Sequence, residues 1–436
     1  MFNFRRTTAK TLRPAPPSRV VDLGPAWAGN SVNCVPYRHS AILSFGREHL
    51  VSYFDDQGDV VIARIPPTGG PTREVIENQA KPFDAHQAIS LGRDSDGRIH
   101  AAFGAHNSTV LMARSRSAIL SDGFEPSVPI KGEQTYPMFI RSGRELLLLF
   151  RSGPHFRGSI TVHRLDVNAG GWVADQQPII SGLGQPWSCG PYLNTPVTTA
   201  DGAVTLFIVW RLQETATTAG AVVNTGIDCV RSQDGLRSLR TLGGIGLSLP
   251  MTPMTAERVI AVPLGAGLIN QAAAAARTDG RPAVLTYWKE AGEAPQYRLG
   301  WFGRNGMQVR TVSRFTTEFS LDGGGTLPLP HSRPELLFDD RDRAFIVFRS
   351  QEHGNRLMLT ILEPPDYQLG HAVQRVLVDD DLGFYEPMID RGLWATERRL
   401  GVFVQRCEQG RDEDGLPRRA AAPAWFMEWS LASLRA

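Results

Sequence analysis

A short apolar strand that stops at a charged or titratable residue returns seven times along the chain, and this repetition constrains the fold more than any other feature. The copies are His49–Asp55, His100–His106, Leu146–Arg151, Val204–Arg211, Ala283–Lys289, Ala344–Arg349 and Leu400–Arg406, five of them ending on Arg or Lys. A strand of mixed polarity follows each one: Val60–Arg64, Val110–Arg114, Ile160–Arg164, Ile227–Arg231, Tyr297–Trp301, Leu357–Leu362 and Trp425–Trp429. A strand with a polar start precedes each one, beginning near His39, His86, Tyr136, Thr195, Asn270, Arg333 and Glu386. Small antiparallel sheets cannot bury both faces alone, and packing them radially leaves no long bare edge. The expected fold is therefore all-β, a seven-bladed β-propeller forming a single domain. Residues 1–17 read as a flexible, Pro-ended arm and residues 18–436 as the propeller, with Val20 and Val21 completing the last blade and a Gly- and Pro-rich insertion over about 232–267.

Composition agrees with many short strands joined by turns: 43 Gly and 30 Pro, and few long apolar stripes of helical period. Gln271–Ala276 scores as helix by propensity, yet its small side chains also suit an innermost strand crowded against the axis. A net charge of +2 argues against a general nucleic-acid partner, and no apolar run approaches the length of a membrane span. Cys34, Cys189, Cys229 and Cys407 have no paired spacing, so neither a zinc site nor a disulfide framework is indicated. The start, Met1 to Lys10 with Arg5-Arg6, has no apolar segment behind it and is not an export signal. The expectation is a cytoplasmic protein, or a secreted or periplasmic one if the true start lies upstream. Oligomeric state is not legible.

Lys occurs only at positions 10, 81, 131 and 289, so Arg makes up the rest of the 46 basic residues. A GC-rich coding preference accounts for the bulk of that bias, and only Arg placement carries a functional argument. In an antiparallel hairpin the start of one arm lies beside the end of the other, which predicts His86 and His106 as neighbours across the Asp94-Ser95-Asp96-Gly97 turn. Radial packing puts every such end on one face, where Asp55, Arg151, Arg211, Lys289, Arg349 and Arg406 join them. The guanidinium fork suits carboxylates. The expected partner is thus a polyanion whose carboxylates sit in Arg forks, with Arg151, Arg211, Asn194, Tyr192, Arg333, Arg349 and His39 as the candidate contacts, and the family resemblance given below makes it an acidic polysaccharide or oligosaccharide. His86, His106 and Tyr136, on adjacent blades, are the groups able to exchange protons.

A glycosidase of the common kind needs two carboxylates beside the bond, and Glu386 is the one obvious acid at a strand start. A metal on His86 and His106 would have only Asp84 as a further partner. The site is expected to hold no metal and the chemistry to require no cofactor, while a structural ion in the channel stays open. His100, His163 and His371 read as hydrogen-bonded rim residues. Ser232-Gln-Asp234-Gly235 is only a stump of the loop that sialidase-like propellers carry, so a sialidase is not indicated.

Asp84-Ala85-His86, Asp96-Gly97-Arg98-Ile99-His100, Gly104-Ala105-His106, Gln134-Thr-Tyr136-Pro137, Phe150-Arg151-Ser152-Gly153 and the opening Trp27-Ala-Gly-Asn30-Ser-Val-Asn33 together resemble the BNR-repeat-like polysaccharide lyases. That group includes ulvan lyases and lyases that cleave rhamnosyl-α-1,4-glucuronate. The resemblance spans about residues 20–430. It implies cleavage of a 4-linked glucuronate glycan by β-elimination, with His86, His106 and Tyr136 transferring protons and Arg151 and Arg211 facing the uronate carboxylate. Two alternatives stay open. One is an α-L-rhamnosidase-type hydrolase, since a related propeller family uses a first-blade histidine to which His39 is similar. The other is a non-catalytic propeller that binds acidic glycans.

Overall fold

The computed structural model describes residues 12–436 apart from 79, 81, 168–169, 185–187, 213–220, 305, 323–324 and 411–419. Among the described residues the regular elements are almost all strands, joined by turns, with two short α-helices, Arg391–Glu397 and Leu431–Arg435. No described helix is long and apolar enough to cross a membrane.

The strands form six sheets. One is four-stranded and runs in sequence order: Ile42–Phe45, Glu48–Phe54, Val60–Ile65 and Thr72–Glu77. An eight-stranded sheet holds two such stacks, joined because the long strand Phe124–Ser142 pairs with His106–Ser115 on one side and Glu145–Ser152 on the other. In the Val204–Leu212 strand the first seven residues are buried. That strand is flanked by Cys189–Leu193 and Asn224–Ser232 and covered on both faces by neighbouring sheets, hence its continuous apolar run. The core lies between adjacent sheets, as where Leu285 and Leu299 meet Leu336 and Ile346. The first strands of neighbouring sheets pack side by side, and the arrangement is β-propeller-like.

Short Asp turns set the register. Asp94 Oδ1 accepts from the backbone N–H of Asp96 (3.0 Å) and Arg98 (2.9 Å), and Asp339 Oδ1 repeats the device on Arg341 and Arg343, both at 3.0 Å. Such a carboxylate satisfies turn donors that the ladder cannot reach.

The two ends of the chain share a sheet: Arg19–Trp27 lies antiparallel to Ala421–Ser430, with Val20 opposite Met427 and Val21 opposite Phe426. Buried Glu428 fastens this junction, receiving Arg19 Nη1 at 3.3 Å and His49 Nε2 at 3.4 Å. Asn33 joins the first sheet to it, bonding Phe54 through both backbone groups and Trp27 through its carbonyl.

Several details differ from expectation. Of the arm over 1–17, residues 1–11 lie outside the described residues, but Arg13–Pro14 adds a parallel strand beside Arg375 and Val376 and Ala15 is buried. An apolar socket captures that stretch. Residues 232–267 are more than an insertion: Glu257–Ile260 pairs with Asn224–Ser232 as an outer strand, and Leu239–Arg240 with Gly246–Leu247 makes a small hairpin. Ala273–Ala276 is a strand at the inner edge. The second strand of the His86/His106 hairpin stops at Phe103, and His106 opens the next strand.

Candidate active site

A cavity of about 320 Å³ opens where the first strands of several sheets begin. Its polar wall starts with a turn. Asp84 Oδ1 accepts the backbone N–H of His86 at 2.9 Å and faces His86 Nδ1 at 2.7 Å. Its other oxygen, Oδ2, bonds His106 Nδ1. One carboxylate therefore holds two imidazoles, which stack with centroids 4.2 Å apart and planes at 15°. Tyr37 stacks against His86 at 5.5 Å. His106 is aimed by its neighbour: Asn107, at φ 48°, is pinned by Thr135, whose Oγ1 accepts the Asn107 N–H at 2.9 Å and donates to Asn107 Oδ1 at 3.1 Å.

Tyr136 stands on a register break of the Phe124–Ser142 strand, between Thr135 and Met138, at φ 59°. A non-glycine residue rarely adopts this left-handed conformation, which costs of order 1 kcal/mol or more and turns the side chain out of the ladder. Its ring meets Tyr37 at 4.9 Å and Tyr192 at 6.0 Å. The Arg151 guanidinium lies over both Tyr136 (5.1 Å) and Tyr192 (4.9 Å), and Arg211 lies over Tyr192 at 4.9 Å. Arg151 is 3% exposed, and its Nε and Nη1 have no hydrogen-bond partner among the described residues. Arg211 Nη2 donates to Asn270 Oδ1 at 3.1 Å. Arg333 is different. It lies over Tyr37 at 5.3 Å, but Glu386 takes its Nε at 3.0 Å and its Nη2 as well, cancelling its charge. The opposite wall is apolar, built from Val222, Ile269, Leu321, Leu327 and Leu329.

Burial is the largest influence on His86 and lowers it to about 4, against the opposing pull of Asp84. Burial also acts on Asp84, in the raising direction, but hydrogen bonds from His106 and His86 hold it well below the usual carboxylate range. Tyr136 is pushed up by burial more than Arg151, Arg211 and Arg333 draw it down, so the phenol keeps its proton at neutral pH.

The structure brings His86, His106, Tyr136, Arg151, Arg211, Tyr192 and Arg333 to this cavity. Three expected substrate contacts lie elsewhere. His39 lines a second cavity of about 530 Å³, on the far side of the ring, because its lining comes from the later residues of the same strands: Phe139–Arg141 where Tyr136 served the first. Tyr37, two residues earlier, takes the place assigned to His39. Asn194 is fully buried and accepts the Ala272 N–H at 3.1 Å, tying two sheets together. The buried Arg349 donates to the carbonyls of Leu329 (2.7 Å), Pro330 (2.8 Å) and Tyr385 (3.1 Å). Among the other strand ends, Asp55 caps a turn and Arg406 pairs with Glu408.

Sequence reasoning missed Tyr37, Asn107, His155 and Gln271 as lining residues, and used Asp84 only as a metal partner. The Asp-x-His spacing is itself an Asx-turn signature and would have pointed to Asp84. Asp84, His86 and His106 are also the one group among the described residues with donor atoms, all within 4.8 Å of one another, able to hold a metal ion. The two Nδ1 atoms and the Asp84 oxygens already satisfy one another.

Fold and site together define a β-propeller-like protein with a cationic, tyrosine-lined cavity and a carboxylate-bound histidine pair. Residues 48–314 match the BNR repeat-containing family, and the chain belongs to that family. No curated protein sequence matches the chain. Among solved structures it is similar to a family PL25 ulvan lyase bound to -[GlcA(1-4)Rha3S]-, at 14% identity and TM-score 0.72, covering 95% of this chain and 99% of that one. A second PL25 ulvan lyase structure gives TM-score 0.69 with the same identity and coverage.

Proposed function

We propose that the protein is a lyase that cleaves a 4-linked glucuronate glycan, rhamnosyl-α-1,4-glucuronate in the first instance, by β-elimination. We read the ring as seven blades, counting the eight-stranded sheet as two joined through Phe124–Ser142. The observation that carries the reading is Arg151, a buried guanidinium between two tyrosines whose Nε and Nη1 have no hydrogen-bond partner among the described residues, beside a histidine pair. A uronate carboxylate placed on Arg151 and Arg211 loses the charge that otherwise keeps the C5 proton from leaving, and its oxygens then carry the negative charge that develops. A histidine Nε2 takes that proton. The C5–H electron pair becomes the C4=C5 double bond as the C4–O4 bond breaks, and O4 receives the Tyr136 proton.

A His86 ring kept neutral by burial and a protonated phenol support this order, with His106 as base and Tyr136 as acid. His86, the more enclosed ring, orients the pair. Properly placed partners each contribute roughly 10²–10⁴-fold. The step as written uses no metal or cofactor. The hydrolytic alternative loses ground because His39 is absent from the cavity and Glu386 is committed to Arg333. The ulvan lyase that the chain is similar to is bound to -[GlcA(1-4)Rha3S]-, which supports the substrate class.

The test incubates the protein with rhamnose-capped glucuronate oligosaccharides and follows the ultraviolet absorbance of a 4,5-unsaturated product. Wild type should give rising absorbance, and His106→Ala and Tyr136→Phe should each slow it by roughly 10²–10⁴-fold. Release of free rhamnose without absorbance would establish hydrolysis instead. Binding without any cleavage would leave a lectin.

A further inference from the structure

Each oxygen of Asp84 meets a different imidazole, and both contacts fall on Nδ1. We propose that Asp84 is the positioning residue of this site, fixing His86 and His106 as Nδ1–H tautomers so that the two Nε2 lone pairs face the cavity side by side and the pair accepts one proton as a unit. The inference rests on the elimination reading for its purpose, though not for its geometry.

An ionised carboxylate only accepts hydrogen bonds. Two Nδ1 atoms bound to its two oxygens must therefore both carry protons, which leaves both Nε2 atoms as bases. The turn makes Asp84 itself rigid, since Oδ1 also receives the His86 backbone N–H at 2.9 Å. The rings stack at 4.2 Å, so two imidazoliums would repel across that gap and one proton at a time is favoured. With one proton taken, trio and proton together are neutral: one carboxylate and one imidazolium. A base without such a partner would leave an isolated cation beside Arg151.

Asn at position 84 breaks this symmetry. Its amide oxygen can serve one Nδ1–H, but its NH₂ donates, and the ring it faces must accept at Nδ1 and carry its proton on Nε2. Long-range ¹H–¹⁵N correlations on ¹⁵N-histidine protein at pH 8, assigned with His86→Gln and His106→Gln, should show both rings as Nδ1–H in wild type. In Asp84→Asn one of the two should switch to Nε2–H, with kcat down about 10–100-fold and KM little changed. An Nε2–H ring in wild type, or two Nδ1–H rings in the variant, would overturn the proposal. So would Zn²⁺ added alone displacing both Nδ1 protons, because Asp84 would then be a metal ligand. If wild type cleaves no glucuronate glycan, the elimination reading falls while the tautomers still decide this point.

Discussion

Phe150-Arg151-Ser152 and Phe348-Arg349-Ser350 are the same tripeptide at the end of the same kind of strand, both arginines buried, and they do opposite things. Arg349 gives its donors to three backbone carbonyls, two of them in the 329–330 stretch that walls the cavity. Arg151 meets two tyrosine faces, and its Nε and Nη1 have no hydrogen-bond partner among the described residues. A buried guanidinium needs partners. Where the fold supplies carbonyls the residue is structural, and where it supplies only ring faces the elimination proposed above assigns the missing acceptor to the uronate carboxylate.

The largest effect that separates the pair is on turnover. Arg151→Ala should lower kcat/KM on a glucuronate oligosaccharide about 10²–10³-fold, the usual loss for one electrostatic stabiliser, with a small change in melting temperature. Arg349→Met should do the reverse. Three carbonyls lose their donors at about 1 kcal/mol each, so chemical denaturation should report a loss of about 3 kcal/mol, while residual folded enzyme keeps its kcat. An Arg349 variant that is stable but inactive would erase the distinction, as would an Arg151 variant that unfolds but turns over normally.

That contrast also marks where sequence reading ran out. The repeat of apolar strands ending in charge was enough to place His86, His106, Tyr136, Arg151 and Arg211 on one face, because strand direction alone fixes which end a residue occupies. It was not enough to tell Arg151 from Arg349, since the acceptors for Arg349 come from residues 20 and 36 positions away. His39 failed for a related reason. Its segment is a chain of turns rather than a strand, Ser40 sits at φ 56°, and the start position counted from other blades falls two residues late. Asn194 has the right position and the wrong partner, a backbone N–H of the next sheet.

His39 sharpens the comparison from the far side of the ring. Burial, then the Arg391 charge, lowers it to about 3. The unfolded chain binds this proton near pH 6.5, so between those values only the unfolded state is protonated. Stability attached to His39 is complete above about pH 6.5 and drains as pH falls toward 3, at up to about 1.4 kcal/mol per pH unit. His86 and His331, both lowered to about 4, act in the same direction. Urea midpoints measured from pH 7 to 4 should therefore fall, and His39→Gln should flatten part of the slope. An unchanged slope would mean that the second cavity admits enough water to solvate the imidazolium.

The smallest expected effect concerns the other histidine–aspartate contact of the same sheet. His100 Nε2 bonds Asp94 Oδ2 at 2.9 Å, as His86 and His106 bond Asp84, but its ring is buried edge-on to Trp172 and its Nδ1 has no hydrogen-bond partner among the described residues. Asp94 keeps its turn without the ring, because Oδ1 holds the Asp96 and Arg98 N–H groups. His100→Gln should therefore cost only about 1 kcal/mol in denaturant titration and leave kcat unchanged. His86→Gln should instead reduce kcat and scarcely move the denaturation midpoint. If His100→Gln slowed turnover as His86→Gln does, proximity to the cavity would not be what separates a working histidine from a structural one, and the whole sheet would have to be counted as part of the site.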